Sequence, residues 1–531
     1  MVNSINKKFL VPVPAHGGSL IEGVVGLPRS INPVLSFTDT DRDLSVLIYS
    51  GLMKHDKDTL VGDLAKSYSV SEDGLTYTFT LKDNIRFHDG ELLTTDDVEF
   101  TIQKIQDSAL KSPRRADWAN ITIKKVSDKE IQFILKQPYS PFLSNTTIGI
   151  LPKHIWKNVS AEQFIFSQYN IEPIGSGPYK LDSITRDDGG IPQSYSLSPF
   201  GRYYDGEAFI SSIVIIFFPN EKDALDAYEN GSIESISGIY PSEAARLAST
   251  SSNTNTLEST LPRIFGVFFN QNNAIVLSNK EVRQALDMAL NRDKIIEEVL
   301  FGYGTPLDGP LPVNTIKSDF KKSYIGDPEG AKALLTKEGW ALNKDGILEK
   351  KEKTSTQLLQ FSISTADTPD LKQAANIIKT QWESIGAKVD IKIFEYGDLS
   401  QNIIKTRKYD ALLFGEFIGK DLDLYAFWHS SQRNSPGLNI SMYVNSKVDT
   451  LLEEIRTISS AKSREAKYKA FSDIIQDDLP AIFIYSPQYI YIVPDKIKGM
   501  NFELITNPSD RLHDISKWYI KTDNVWKMFV E

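Results

Sequence analysis

Hydrophobic and polar residues alternate strictly over 76–81, within a stretch from 64 to 105 that ends in a helical pattern. Tyr77, Phe79 and Leu81 occupy every second position, and threonines fill the positions between them. Because side chains on a β-strand point alternately to opposite faces, this pattern predicts a strand with one buried face. The preceding Ser-Glu-Asp-Gly over 71–74 favours a turn, since Gly accepts a positive φ and Asp bonds to its own backbone.

The same segment continues with a predicted short strand over 85–87 and then a helix that begins at Thr94 or Thr95. The first helical turn carries two aspartates, which the positive end of the helix dipole favours. From Val98 onward, apolar residues recur at i, i+4 and i+7, so one face of this helix is predicted to be buried. The residues therefore predict a β-hairpin that leads into a capped helix.

Helical and strand patterns alternate through the second half of the chain, which implies an α/β lobe. Asp327 and Pro328 form a helix start, because Asp caps the free amides and Pro suits the first helical position. The aromatic run near the C-terminus predicts two strands, over 482–485 and 489–493. The other elements predicted here are a helix pair over 280–300, a helix over 371–385 and a strand over 389–393.

Composition narrows the class of protein. A chain of 531 residues is too long for one ordinary core, so two or three domains are expected. A hydrophobic content of 41% with 11% aromatics is typical of globular proteins, and no apolar run reaches the length of a membrane span. The net charge of -10 argues against a nucleic-acid partner, which needs a basic face.

Catalytic and metal-binding motifs are missing from the sequence. There are no cysteines, which excludes thiolate metal sites, a cysteine nucleophile and disulfides. Neither G-x-S-x-G nor H-E-x-x-H occurs, and the glycine-rich stretch ending in Lys420 is one residue short of a P-loop. The six histidines are dispersed, and His88 is predicted to support its turn rather than bind a metal. We therefore predict a protein that is not an enzyme and needs no cofactor.

The order of residues in SEDGLTYTFTLKDNIRFHDGELLTTDDVEF, over 71–100, carries a further signal. It resembles the signature of the extracytoplasmic solute-binding proteins of dipeptide and oligopeptide ABC importers, family 5. Further stretches are similar to elements of the same family, with Ser176 and Asn291 in place of its usual Thr and Asp: IGSGPY over 174–179, RIFGVFFN over 263–270, VRQALDMALNR over 282–292 and DPEGAKALLTKEGW over 327–340.

The resemblance implies a two-lobed, periplasmic-binding-protein-like α/β fold (type II, cluster C) with an extra subdomain in the N-terminal lobe. The chain would pass from one lobe to the other at strands near Arg263 and Tyr485. The implied domains are lobe I from 9–38, 171–262 and 488–531, the extra subdomain from 39–170, and lobe II from 263–487.

The resemblance also implies a function. The protein would be the substrate-binding component of an ABC importer, capturing oligopeptides between its lobes and delivering them to a membrane permease, as a monomer. An extracytoplasmic location follows, with an export signal or membrane anchor upstream of this chain. Relatives that carry nickel chelates, glutathione, oligosaccharides or opines leave a non-peptide solute as the alternative. An enzyme on an α/β scaffold and a peptide-holding protein without an importer are further alternatives.

The segment YDALLFGEFIGKDLDLYAFWHSS, over 409–431, is similar to the family segment that faces the cleft and whose acidic residue holds the ligand's α-amino group. The family's Asp-x-x-Asp-Pro is absent here, so the sequence does not separate three candidate carboxylates. A solvated loop and ordinary core packing are the alternatives. The predicted substrate-binding residues are Glu416, Asp421, Asp423, Phe427, Trp428, His429, Asn270 and Tyr485.

Overall fold

The computed structural model describes residues 10–56, 59–250, 253–312, 324–419, 422–458, 460–502 and 505–527. Contacts within the chain divide it into two compact units. Unit 1 comprises Met1–Ser259 and Tyr489–Glu531, and unit 2 comprises Thr260–Gln488. The further division of the first lobe into a main domain and an extra subdomain stays a prediction.

A mixed sheet runs through unit 1. Its strand Ser19–Val25 pairs in parallel with Ser212–Phe218 on one edge and with Ser235–Ser237 on the other. Pro192–Pro199 and then Tyr179–Arg186 extend it by antiparallel pairing. Ser212–Phe218 is one of the inner strands of this sheet. Its side chains are alternately buried and half-buried.

Unit 1 contains further strands. Four of them form an antiparallel sheet, four others form two separate two-stranded sheets, and one pairs with the long strand Ala481–Pro494. The four-stranded sheet consists of Ala65–Val70, Thr76–Leu81, Glu130–Ile134 and Thr122–Lys125; the pairs are Met53–Asp56 with Thr59–Gly62 and Leu10–Ala15 with Lys521–Trp526; Thr254–Thr260 pairs with the long strand.

The helices of unit 1 are mostly short. Four helices within the described ranges have nine or more residues: Asp39–Ile48, Thr95–Gln106, Glu221–Glu229 and Pro241–Thr250. The one-turn helices and 3₁₀ segments are Arg115–Trp118, Phe142–Asn145, Lys153–Trp156, Ala161–Phe164, Gln168–Asn170, Pro508–Leu512 and Ile515–Lys517.

The hairpin and helix predicted from the alternating pattern are confirmed. Gly74 takes a φ of 70°, and Tyr77, Phe79 and Leu81 are all buried. The helix begins after Thr94, whose side chain forms a capping box with Asp97. The short strand predicted over 85–87 is wrong. There the chain turns back on itself and makes one isolated bridge, Arg86 with Leu92. The bridge is closed by the bonds from the Phe87 amide to the Glu91 carbonyl and from the Leu93 amide to the Ile85 carbonyl, and no ladder of described residues extends beyond it.

A second mixed sheet organises unit 2. From one edge it runs through Lys388–Phe394, Gln360–Ala366, Ala411–Phe417, Arg263–Phe269 and the first half of Ala481–Pro494. The first three strands are parallel, and the last two pairings are antiparallel. The short strand Gly304–Pro306 pairs with Ala481–Pro494, and Trp340–Leu342, Leu348–Lys351 and Thr356–Leu358 form a separate antiparallel sheet.

Helices cover the sheet of unit 2 where the sequence places them. Asp327 caps its helix by accepting a bond from the Gly330 amide at 2.8 Å, and Gly386 ends another helix with a φ of 92°. The helices are Lys280–Ala289, Arg292–Leu300, Pro328–Lys337, Pro369–Glu383, Ser446–Thr457 and Ala461–Asp478. The shorter turns are Ile275–Ser278, Tyr396–Asp398, Leu399–Ile404, Tyr425–Trp428 and Ser430–Gln432.

The two strands predicted over 482–485 and 489–493 form one strand of 14 residues, Ala481–Pro494. Its first half pairs with Arg263–Phe269 and its second half with Ser235–Ser237. Pro487 lies within this strand and cannot donate to the ladder, because it has no amide hydrogen. The strand continues because the carbonyl of Pro487 still accepts a bond from the Leu261 amide at 3.0 Å.

A buried ionic cluster joins the turn Pro508–Leu512 to the strand Ser19–Val25 and the helix Asp39–Ile48. The guanidinium of Arg511 is fully buried and donates to both carboxylate oxygens of Asp43, at 2.8 and 2.7 Å. Its Nε donates to Glu22 Oε1 at 3.1 Å, and the Tyr491 hydroxyl donates to the other oxygen of Glu22. Burial raises the pKa of Asp43 to about 6, although the neighbouring Arg511 opposes that shift.

Candidate functional site

One edge of the strand Ala411–Phe417 is open at its C-terminal half. The strand pairs along its whole length with Arg263–Phe269. On the other edge, Gln360–Ala366 pairs with it only at Ala411 and Leu412. An open strand edge of this kind can accept another extended chain through main-chain hydrogen bonds.

The pairing on the closed edge identifies the free backbone groups. The amide of Ile418 bonds to the carbonyl of Pro262, so even-numbered residues of this strand direct their amides and carbonyls to the closed edge. Gly415 and Phe417 therefore direct theirs to the open edge, where no described residue pairs with them. Sequence reasoning missed these two residues, because their role follows from strand order and not from their side chains.

An aromatic stack covers Gly415. A Cβ atom on Gly415 would lie only 2.6 Å from Cζ of Phe265, the residue opposite it in the sheet. The Phe265 ring in turn stacks on Tyr485, with centroids 5.1 Å apart and planes 18° apart. Tyr485 is 1% exposed and its hydroxyl has no hydrogen-bond partner in the described part of the chain. Burial raises the pKa of this hydroxyl above its usual value.

Glu416 projects from the opposite face of the same strand. Its side chain is 4% exposed, opposite Ile264 in the sheet, and Ile418 is buried two residues on. Neither carboxylate oxygen has a hydrogen-bond partner among the residues described, and burial raises the pKa of Glu416 well above its usual range. Burying a carboxylate without a counter-charge is costly, so a cation from a ligand would meet an existing need.

The other two candidate carboxylates differ from Glu416. Asp423 is bound by Arg456, whose Nη2 lies 2.6 Å and whose Nε lies 2.9 Å from its oxygens. The charge of Asp423 is therefore already balanced inside unit 2. Asp421 lies outside the described residues, as does Lys420. Of the two carboxylates whose contacts are known, Glu416 is the one that lacks a partner.

The three consecutive aromatic residues that follow lie in different surroundings. Trp428 is 1% exposed and packs against Phe268 and Phe483 in the core of unit 2. Phe427 is half-buried against the same core. His429 stacks on Tyr425 with centroids 4.1 Å apart. The contacts of Trp428 and Phe427 are those of a packed core, whereas Nε2 of His429 lies 3.4 Å from Oε1 of the exposed Glu453.

The strand pairing keeps some of the predicted residues apart. Cross-strand neighbours share a face, so Phe268, and with it Trp428, lies on the face of the sheet that carries Glu416. Tyr485 lies on the other face, with Phe265. Asn270 lies at the far end of the strand pair, where its Nδ2 donates to the carbonyl of Arg407 at 2.8 Å.

Other sites are not apparent in the described ranges. No group of three His, Asp or Glu side chains there has an arrangement that could hold a metal ion. His88 holds the glycine-rich turn after residue 174, since its Nε2 lies 3.1 Å from the carbonyl of Gly177, and burial lowers its pKa to about 4. None of the described helices combines the length and apolarity needed to cross a bilayer.

Comparison with known proteins gives matches over most of the chain. The sequence model of the bacterial extracellular solute-binding proteins, family 5 Middle, matches residues 59–437. The oligopeptide-binding protein AppA of Bacillus subtilis is 28% identical over 517 residues, which cover 96% of this chain and 92% of that protein.

Solved structures match over similar lengths. AppA of Bacillus subtilis in complex with a nonapeptide has a TM-score of 0.72 at 27% identity, covering 96% of this chain and 100% of that one. The ABC transporter substrate-binding protein CtaP of Listeria monocytogenes has a TM-score of 0.80 at 28% identity, covering 95% and 99%. NikZ of Campylobacter jejuni in complex with Ni(L-His) has a TM-score of 0.74 at 27% identity, covering 94% and 99%.

Proposed function

Because the chain belongs to the bacterial extracellular solute-binding proteins of family 5, we propose that it captures oligopeptides outside the cytoplasm for an ABC importer. The family consists of solute-binding proteins rather than enzymes. The α/β, two-lobed, periplasmic-binding-protein-like fold class predicted from the sequence is confirmed by the solved structures. A membrane permease as partner, action as a monomer and attachment at the membrane surface are parts of the same proposal.

The open edge at Gly415 and Phe417 carries the peptide assignment. Each of these residues offers an amide donor and a carbonyl acceptor in the arrangement that an extended peptide backbone complements. Such bonds are independent of the peptide's side chains, so one edge serves many sequences. Glu416, between them, supplies a buried carboxylate for a cationic group on the ligand. Wall contacts from Phe427, Trp428, His429 and Tyr485 stay predictions.

Calorimetry with peptides tests this function. The purified protein, freed of copurified ligand by unfolding and refolding, is titrated with di- to octapeptides, glutathione and nickel-histidine. We expect binding heat with peptides and a higher melting temperature, equivalent to about 2.7 kcal/mol of stabilisation when free peptide is about 100 times Kd. Binding of nickel-histidine or glutathione with no response to any peptide would refute the peptide assignment and leave the fold unaffected.

A further inference from the structure

We propose that the protein selects peptides with a basic residue, whose Lys or Arg side chain pairs with Glu416 while the peptide backbone pairs with Gly415 and Phe417. This inference rests on the proposed function, because it requires a peptide on the open strand edge. It adds a ligand preference that a backbone-binding edge alone does not supply.

The register of an added strand places one peptide residue level with Glu416. A chain that bonds to the free groups of Gly415 and Phe417 has one residue between those bonds, whether it runs parallel or antiparallel. Side chains directly opposite each other in a sheet lie on the same face, with Cβ atoms about 5 Å apart. The side chain of that residue therefore projects beside Glu416, within reach of a Lys ammonium or an Arg guanidinium.

The surroundings of Glu416 favour a charged partner over a neutral one. Ile264, opposite it in the sheet, is fully buried and apolar, and both carboxylate oxygens are shielded from water. Hydrogen bonds between ionised groups are about twice as strong as those between neutral groups, and low polarity strengthens the attraction between opposite charges. A neutral peptide side chain would leave this carboxylate without a counter-charge.

The ligand's α-amino group is the competing cation. That group belongs to the peptide backbone, so it lies in the plane of the sheet when the peptide pairs with the open edge. Glu416 projects from the face of the sheet. Its nearest neighbours along the strand on that face are Phe414 and Ile418, each two residues away. A side-chain cation meets this geometry better, and N-acetylated peptides separate the two cases.

A lysine scan along the peptide measures the preference for a basic side chain. N-acetylated penta-alanines with Lys at each position in turn are compared by calorimetry with matched peptides that carry norleucine, which has a similar apolar stem without the charge. We expect one position at which Lys binds at least about tenfold tighter than norleucine, as for a close charge pair. In Glu416→Gln that ratio should fall to near one, while the norleucine peptides keep or gain affinity.

Two further variants complete the test. Glu465→Gln removes an exposed carboxylate on the helix Ala461–Asp478 and should retain the lysine preference. Lys420→Met removes the lysine four positions further along the chain, which lies outside the described residues, and the preference should persist in this variant too. Retention of the lysine preference in Glu416→Gln would overturn the inference. Binding of all the lysine peptides with no preferred position would also overturn the inference, but it would leave the proposed peptide function standing. If no acetylated or free peptide bound at all, both the lysine preference and the peptide function would be refuted.

Discussion

The buried carboxyl group of Glu416, on a strand between Phe414 and Ile418, affects the stability of the protein as well as the proposed binding of peptides. Burial raises its pKa in the folded protein above the ordinary value of 4.5. The folded state then holds the proton more tightly than the unfolded state does. The contribution of Glu416 to stability is therefore fully present below pH 4.5 and is lost as the pH rises through the folded-state pKa.

We expect Glu416→Gln to remove this loss in the ligand-free protein. Glutamine keeps the shape of the side chain without a charge to bury, so the variant should be more stable than the wild type by about 2 kcal/mol near pH 8 and equal to it below pH 4.5. Urea unfolding across this pH range provides the measurement. If the free energies of unfolding of the two proteins, plotted against pH, stayed parallel, Glu416 would not titrate in this way. Glu465→Gln, at an exposed position, serves as the control.

Gly415 allows the Phe265 ring to lie flat over the strand. Gly415→Ala places a Cβ against that ring, which cannot simply swing away because it stacks on Tyr485. We expect a loss of about 1–3 kcal/mol in stability, typical of overpacking, together with weaker peptide binding. Phe265→Leu removes the clashing ring atoms, so the double variant should lose less than the sum of the two single variants. Strict additivity in chemical denaturation would contradict this explanation.

The candidate site could be located from the sequence only to the segment 409–431. Nothing in that segment separates Glu416 from Asp423, because the residue that neutralises Asp423 is Arg456, 33 positions further along the chain. The free backbone of Gly415 and Phe417 depends on where the neighbouring strand Gln360–Ala366 stops pairing. Long-range pairing of this kind leaves no local mark in the sequence.

Elements with strong local signals were predicted well. Thr94 with Asp97, and Asp327 with Pro328, start their helices at the predicted residues, because a cap satisfies amides within its own turn. Two predictions were wrong: the short strand over 85–87 and the division of the C-terminal strand into two. The residues over 85–87 make a single local bridge with residues 91–93, and no ladder of described residues extends beyond it. The strand Ala481–Pro494 continues through its proline because the carbonyl of Pro487 accepts a bond from the distant Leu261 amide.

The Arg511 cluster ties three elements of unit 1 together: the turn Pro508–Leu512, the strand Ser19–Val25 and the helix Asp39–Ile48. Arg511→Met would leave two buried carboxylates facing each other without a cation. We expect a loss of about 3–5 kcal/mol in the free energy of unfolding, measured with urea. The triple variant Glu22→Gln, Asp43→Asn, Arg511→Met should recover most of it, because no charge then remains buried.

The matched control for this cluster is Arg42→Met. Arg42 pairs with Asp39 on the exposed side of the same helix, with 40% of its side chain accessible. Exposed pairs contribute little, so the expected change is below about 1 kcal/mol. If Arg511→Met and Arg42→Met lowered the free energy of unfolding equally, burial would not distinguish the two arginines. The proposal that Arg511 holds the three elements together would then be wrong.

At the scale of the whole molecule, the two units differ in how the chain builds them. Unit 1 needs two separate stretches, whereas unit 2 is one continuous stretch, Thr260–Gln488. The hydrophobic core that runs from Ile264 to Tyr485 draws all its residues from that stretch, including Trp382, whose indole donates to the carbonyl of Leu286 at 2.9 Å. Unit 2 therefore contains the side chains required for its own core.

We expect residues 260–488, produced alone, to fold cooperatively. A stretch of this length with its own core is within the usual range of an independent domain, and contacts within it are mostly retained when the rest of the chain is removed. Near-ultraviolet circular dichroism and a single urea transition would show fixed tertiary packing, and Trp382→Ala, which opens a cavity in that core, should lower its stability by about 3–5 kcal/mol. A compact state with secondary structure but no near-ultraviolet signal would show instead that unit 2 acquires its packing only within the whole chain.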